Sequence, residues 1–269
     1  SWTRERRVSA RIETTRLGLD IRSLHRDVAV MAYLLDPAEG KYRLMPGILQ
    51  ALLDARNPYS ILTKGTLILR DLDLIADAAQ VHRHTGLAPS VALHIPWDLV
   101  DDFGALRTYA EDLGVRLGTI NSNTFQDDDY KLGSLTNADP AVRRKAVEHN
   151  LRCIEIMNET GSRDLKIWLA DGANYPGQND LRSRQDNLAE SLATIYSHIG
   201  EDQRLVLEYK FFEPAFYSTD VPDWGTAYAL VLALGERAVV CLDTGHHAPG
   251  TNIEQIVATL LRLGKLGSF

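Results

Sequence analysis

The strongest constraint on what this chain can fold into is a repeated alternation. Short apolar runs rich in β-branched residues are each followed by a longer stretch with apolar residues at helical spacing. Strand runs are Ser90–Ile95, ended by Pro96, then Val115–Asn123, Leu165–Ala170, and the runs opening at Leu205 and Val239. Helical stretches cover Leu72–His84, Phe103–Leu113, Pro140–Ile156, Leu181–Ile199, Trp224–Leu234 and Ile253–Leu263. Gly86, Gly114, Gly161 and Gly264 close four of them, and Pro140 stands in a first turn. Units of about 30 to 40 residues built this way dictate a parallel sheet with crossover helices. The expected architecture is α/β, a TIM-type (β/α)8 barrel. It is read as incomplete, with only Thr66–Leu69 as a weak first strand and a last strand that starts at Leu266. An open doubly wound sheet is the alternative, but no Gly-rich phosphate loop follows the first strand. Residues 1–55 read as a polar, N-terminal helical arm, and 56–269 as the barrel.

Composition narrows the partners. The chain of 269 residues is 45% hydrophobic and 24% charged, ordinary values for a globular fold. A net charge of -7 weighs against a nucleic-acid partner. Cys153 and Cys241 sit far apart in apolar contexts and read as buried, reduced thiols. No leader-like or membrane-spanning run is present, so no membrane is expected and the cytoplasm is the expected compartment.

The chemistry collects where strands end. Glu208 and Lys210 close one run, and Asp243 and His246 close the next. A carboxylate ending a buried strand needs a cation or several donors, so each could be a plain ion pair. His246, past Gly245, favours a shared metal site, the glycine being expected to give the tight turn that brings both groups to one side. Mixed carboxylate and imidazole ligands suit Mn, Co, Zn or Mg. Lys210, two residues from Glu208, falls on the same side by strand alternation, as a substrate donor or an ion-pair partner of Glu208. His94, at another strand end, is a candidate acid–base group or a satisfied structural histidine. Trp97, Phe125 and Trp168 offer an aromatic wall for a sugar, or ordinary packing. His82 and His247 read as solvated or core histidines, and Asp127-Asp128-Asp129 as a solvated loop.

Six segments together resemble the L-rhamnose isomerases, among the xylose-isomerase-like barrels, in their broad-specificity bacterial branch. They are His94-Ile95-Pro96-Trp97-Asp98, Asn121-Ser122-Asn123-Thr124-Phe125, Asn174-Tyr175-Pro176-Gly177-Gln178, Glu213-Pro214-Ala215-Phe216-Tyr217, Asp223-Trp224-Gly225-Thr226 and Asp243-Thr244-Gly245-His246-His247-Ala248-Pro249. The resemblance implies an aldose–ketose isomerase, L-rhamnose to L-rhamnulose or related sugars such as D-allose and D-psicose. It also implies two divalent ions, usually manganese, and a homotetramer. It assigns Glu208 as the bridging ligand, Asp243 and His246 as further metal ligands, Lys210 and His94 near the substrate oxygens, and Trp97, Phe125 and Trp168 as the substrate wall. Two departures stand out: the family's first-strand Ser-Trp-Gly segment is not recognisable, and the strands that bring its remaining ligands would follow Phe269. A ketose epimerase, a metal-dependent phosphodiester hydrolase and a non-catalytic barrel are the competing expectations.

Overall fold

The computed structural model describes residues 61–62, 72–173, 177–213 and 217–269. The expected arm at 1–55, the boundary at 56, the weak strand Thr66–Leu69 and the triplet 174–176 lie outside the described residues. The elements in chain order are β1 (Ile61–Leu62), α1 (Leu72–Thr85), β2 (Ser90–Ile95), α2 (Phe103–Asp112), β3 (Arg116–Ser122) and α3 (Pro140–Thr160). Then come β4 (Asp164–Trp168), α4 (Leu181–Tyr196), β5 (Arg204–Glu208), β6 (Phe212–Glu213), β7 (Tyr217–Ser218), α5 (Trp224–Leu234), β8 (Ala238–Cys241), α6 (Ile253–Arg262) and β9 (Leu266–Ser268). A short 3-10 helix, Asp128–Leu132, follows β3.

By its internal contacts the chain divides into two compact units. The first, residues 61, 72–91 and 108–116 among those described, contains α1, which buries Ile75, Ala78, Ala79 and Val81. The second, residues 62, 92–107, 117–173, 177–213 and 217–269 among those described, carries β4 to β9 and every candidate site residue named above except His82.

Among the described residues one sheet of seven strands runs β1-β2-β3-β4-β5-β8-β9, and the pairs from β3 to β9 are parallel. Spatial order follows chain order without reversal. That is the winding of a barrel, whereas a doubly wound sheet reverses at a switch point. Along β4, Leu165 and Ile167 are fully buried while Asp164, Lys166 and Trp168 are only partly covered, the alternation of a strand with one apolar face. Leu205, Leu207 and Val240 continue the apolar layer, and Cys153, Ile156 and Met157 of α3 and Leu188, Leu192 and Ile195 of α4 bury the helix stripes. The opposite face is ordered in rows. Cα register places Asn121 beside Lys166, Lys166 beside Val206 and Val206 beside Val239. The next row, nearer the strand ends, is Trp168, Glu208 and Cys241.

Helix starts follow local chemistry. Asp139 accepts from Ala141 N at 2.8 Å and Asp223 from Thr226 N at 2.8 Å, both N-caps. Gly161, with φ 71°, ends α3, a conformation that other residues adopt only with strain. The helix expected over Leu181–Ile199 stops at Tyr196, where Ser197 caps it and a turn leads to β5. An antiparallel hairpin of β6 and β7, unforeseen in the sequence, returns toward the end of β4, where Gly172 bridges Thr219.

Candidate metal centre

Glu208 is the last residue of β5, and its row neighbours across the sheet are Trp168 and Cys241. The loop after β8 brings two more ligand-type groups to it. One ligand atom each of Glu208, Asp243 and His246 lies within 4.8 Å of the others. His246 stands between the carboxylates: Nδ1 is 3.2 Å from Glu208 Oε1 and Nε2 is 3.6 Å from Asp243 Oδ2. Nδ1 also lies 3.1 Å from the Tyr209 carbonyl, which fixes the ring plane. This donor set, two carboxylates and an imidazole, fits a divalent ion of the Mn, Co, Zn or Mg kind. Three protein ligands leave positions open for water or substrate.

The turn that delivers His246 corrects one sequence expectation. Gly245 is absent from the glycines with left-handed φ. Instead Asp243 Oδ1 accepts the Gly245 N–H at 2.7 Å, and Asp243 O accepts the His246 N–H at 3.1 Å. The aspartate's own side chain builds the bend, as short acidic side chains do.

Lys166 is the site residue that the sequence reading passed over. Its Nζ lies 3.7 Å from Glu208 Oε2, and the two side chains are only 20% and 13% exposed. Burial works against its charge, but Cys241, Glu208 and Asp243 outweigh that and raise its pKa. Cys241 itself is pushed up to about 11 by burial and by Glu208, so at neutral pH it is an uncharged thiol. The carboxylates are therefore the groups that compensate Lys166. The visible signal was a lysine inside an otherwise apolar strand run. Lys210 lies beyond the end of β5, where strand alternation no longer applies, and its Nζ stands 5.2 Å from the centre of the Trp168 ring. Its backbone is tied to the hairpin segment by Lys210 N to Val221 O at 3.1 Å and by the Thr219 hydroxyl on Lys210 O.

The aromatic residues form one run beside this centre. His94 and Trp97 rings are 4.2 Å apart, Trp97 and Phe125 6.2 Å, and Phe125 and Trp168 4.7 Å. Trp97 Nε1 donates to Gln126 Oε1 at 2.7 Å, which leaves the indole face to its neighbours. The buried Asp98 accepts the His94 N–H at 2.6 Å and clamps that corner. His247 Nε2 lies 2.6 Å from the Tyr209 hydroxyl, and His82 lies on α1 of the first unit. Of the acidic run, Asp127 and Asp129 grip Lys145 at 2.8 and 2.6 Å, and Asp128 stays solvated.

A buried ionic network that no sequence pattern announced ties together the segments that follow the strands. Asp171 accepts from Ser134 N and Oγ at 2.7 and 2.8 Å and from Thr136 N and Oγ1 at 3.0 and 2.8 Å. Arg184 clamps Asp220 through Nε at 3.1 and 3.0 Å and through Nη2 at 2.6 Å, and reaches Leu132 O and Thr136 Oγ1. These bonds join the segments after β3, β4 and β7 to the first turns of α4.

Comparisons with known proteins identify the family. Residues 82–266 match the family described as the xylose isomerase-like TIM barrel. A probable sugar isomerase of Rhizobium meliloti is 46% identical over 202 residues, 73% of this chain and 47% of that protein. A second probable sugar isomerase, from Mesorhizobium japonicum, is 45% identical over 206 residues, 74% of this chain and 48% of that protein. The chain thus spans about half the length of the curated relatives it matches. Among solved structures, a D-allulose 3-epimerase from Methylomonas sp. superposes with a TM-score of 0.60 at 17% identity, over 78% of this chain and 70% of that one. An L-ribulose 3-epimerase gives 0.57 at 20% identity, over 77% and 67%. At such identities the likeness speaks to the fold. Among the described residues no helix is long and apolar enough to cross a membrane. Strand order, the groups at the strand ends and the matched span together place the chain in the xylose isomerase-like TIM barrel family.

Proposed function

We propose that the whole protein interconverts an aldose and its ketose at this site, with L-rhamnose and L-rhamnulose as the first pair to test. The observation that carries the reading is the juxtaposition of Glu208, Asp243 and His246 with the run of His94, Trp97, Phe125 and Trp168. Glu208, Asp243 and His246 would hold a divalent ion, manganese first, in a two-ion centre of a homotetramer. Such an ion supplies Lewis-acid stabilisation of charge developing on neighbouring sugar oxygens. The remaining steps fall to the chain. Lys210 donates a hydrogen bond to a substrate oxygen and steadies the charge that builds there. His94 transfers a proton as the sugar ring opens. The aromatic run covers the apolar face of the sugar and excludes water from the reacting carbons.

The test is conversion of L-rhamnose to L-rhamnulose by the full-length protein with manganese, with and without EDTA. Glu208→Gln keeps the shape of the ligand and removes its charge, so turnover should fall by about 10²-fold or more. Lys210→Met should be milder, because the ligand set stays intact. EDTA-insensitive turnover, or a fully active Glu208→Gln, would overturn the reading. Turnover of D-allulose to its 3-epimer with no aldose formed would replace it with a ketose epimerase.

A further inference from the structure

A lysine on the inner face of a barrel strand is costly to bury unless something there requires its charge. Lys166 sits one row behind the candidate ligands, beside Val206 in the register, with the Trp168–Glu208–Cys241 row above it. Glu208 divides its two oxygens between two partners. Oε1 faces His246 at 3.2 Å and Oε2 faces the Lys166 ammonium at 3.7 Å. One oxygen therefore looks into the ligand cluster and the other already meets a cation. We infer that Lys166 is a resident counter-cation of the metal centre, which offsets the charge on Glu208 and so sets how tightly the site holds a divalent ion.

This inference rests on the metal reading above and deepens it. Without Lys166 the two carboxylates would present two negative charges to an incoming ion; with it the cluster presents one, His246 being neutral when it ligates. The ammonium and the metal repel each other across a partly covered, low-dielectric interior, so affinity falls while Glu208 stays oriented by its two partners. A merely structural ion pair predicts the opposite result. Removing Lys166 would then leave Glu208 unpaired, loosen the strand ends and weaken metal binding.

The experiment is calorimetric titration of the metal-stripped full-length protein with Mn²⁺ and with Co²⁺, at fixed pH and ionic strength. Wild type is compared with Lys166→Met, Lys166→Gln and Lys166→Arg, each checked for folding by circular dichroism. Lys166→Met and Lys166→Gln should bind both ions more tightly, by about tenfold or more, the scale on which one elementary charge at close range changes a cation's affinity. Lys166→Arg keeps the charge and should stay within about threefold of wild type. Equal or weaker binding by the folded neutral variants would overturn the inference while leaving the metal site standing. Unfolding of both neutral variants would make Lys166 a structural ion-pair partner and overturn it too. A wild-type protein that binds neither ion would instead sink the metal reading itself.

Discussion

Removing Arg184 should be among the most damaging single changes outside the candidate centre. Its side chain is buried together with Asp220, at 2% and 6% residue exposure, and supplies the three contacts of 2.6 to 3.1 Å on that carboxylate. Arg184→Met keeps much of the packing volume but leaves the buried Asp220 side chain without its cationic partner. Breaking a buried pair by deleting one partner costs about 3–5 kcal/mol. The Leu132 carbonyl and the Thr136 hydroxyl also lose a donor, adding about 1 kcal/mol each if water does not replace it. An expected loss of about 5 kcal/mol or more is a large share of the 5–15 kcal/mol that separates an ordinary domain from its unfolded state. Equilibrium urea unfolding followed by circular dichroism measures it, as a lower midpoint at unchanged slope. Arg184→Met with Asp220→Asn removes the stranded charge, so the double variant should recover part of the loss, read as a coupling energy. A single-variant cost under about 1 kcal/mol would refute the view of this network as a buried, water-excluded ion pair.

Other perturbations have equally definite outcomes. A Cβ on Gly172 would run into the Ser218 carbonyl and Thr219 Cα, both backbone, so Gly172→Ala should displace the hairpin and lower stability by about 1–3 kcal/mol in urea unfolding. Cys153 is buried and its thiol is pushed up to about 12 by burial, so neither it nor the equally buried Cys241 should react with a thiol-specific chromogenic disulfide until urea exposes them. Asp139→Ala deletes the α3 cap and should cost about 1 kcal/mol by the same unfolding assay. The Asp180 carboxyl is held below the usual range by Ser183, then by the Arg182 N–H. Its stabilising effect is thus full above the ordinary carboxylate pKa and lost as pH falls through the lowered one. The difference in melting midpoint between wild type and Asp180→Ala should shrink over that acidic interval.

The legible parts of this fold were those governed by local rules. Strand runs, the first-turn proline Pro140 and the glycine stop at Gly161 follow from propensity and spacing, and the structure places them within a few residues of expectation. The meeting of Glu208, Asp243 and His246 was legible too, because parallel strands bring their ends to one side. Lys166 was missed because run-ends were searched for chemistry, and a lysine within a strand reads as a solvated edge until the row it faces is known. The bonds among Ser134, Asp171, Arg184 and Asp220 were missed because their partners lie about 35 to 50 residues apart, as the spans of 36 and 48 for Arg184 show. No short window holds both halves of such a pair. The tight turn at Gly245 was legible as well, but the Asp243 side chain two residues earlier shapes it, and it asks no left-handed φ of the glycine.

That bend has a consequence for how the position can drift in evolution. Asp243 answers to two constraints, since Oδ1 caps the Gly245 amide and Oδ2 faces His246. Asparagine would preserve the bend and forfeit the charge; glutamate would keep the charge on a side chain too long for the cap. Few residues satisfy both demands. Position 243 should therefore tolerate less substitution than Glu208 in a deep mutational scan for folding and metal retention together, although Asp243 is the more exposed of the two carboxylates.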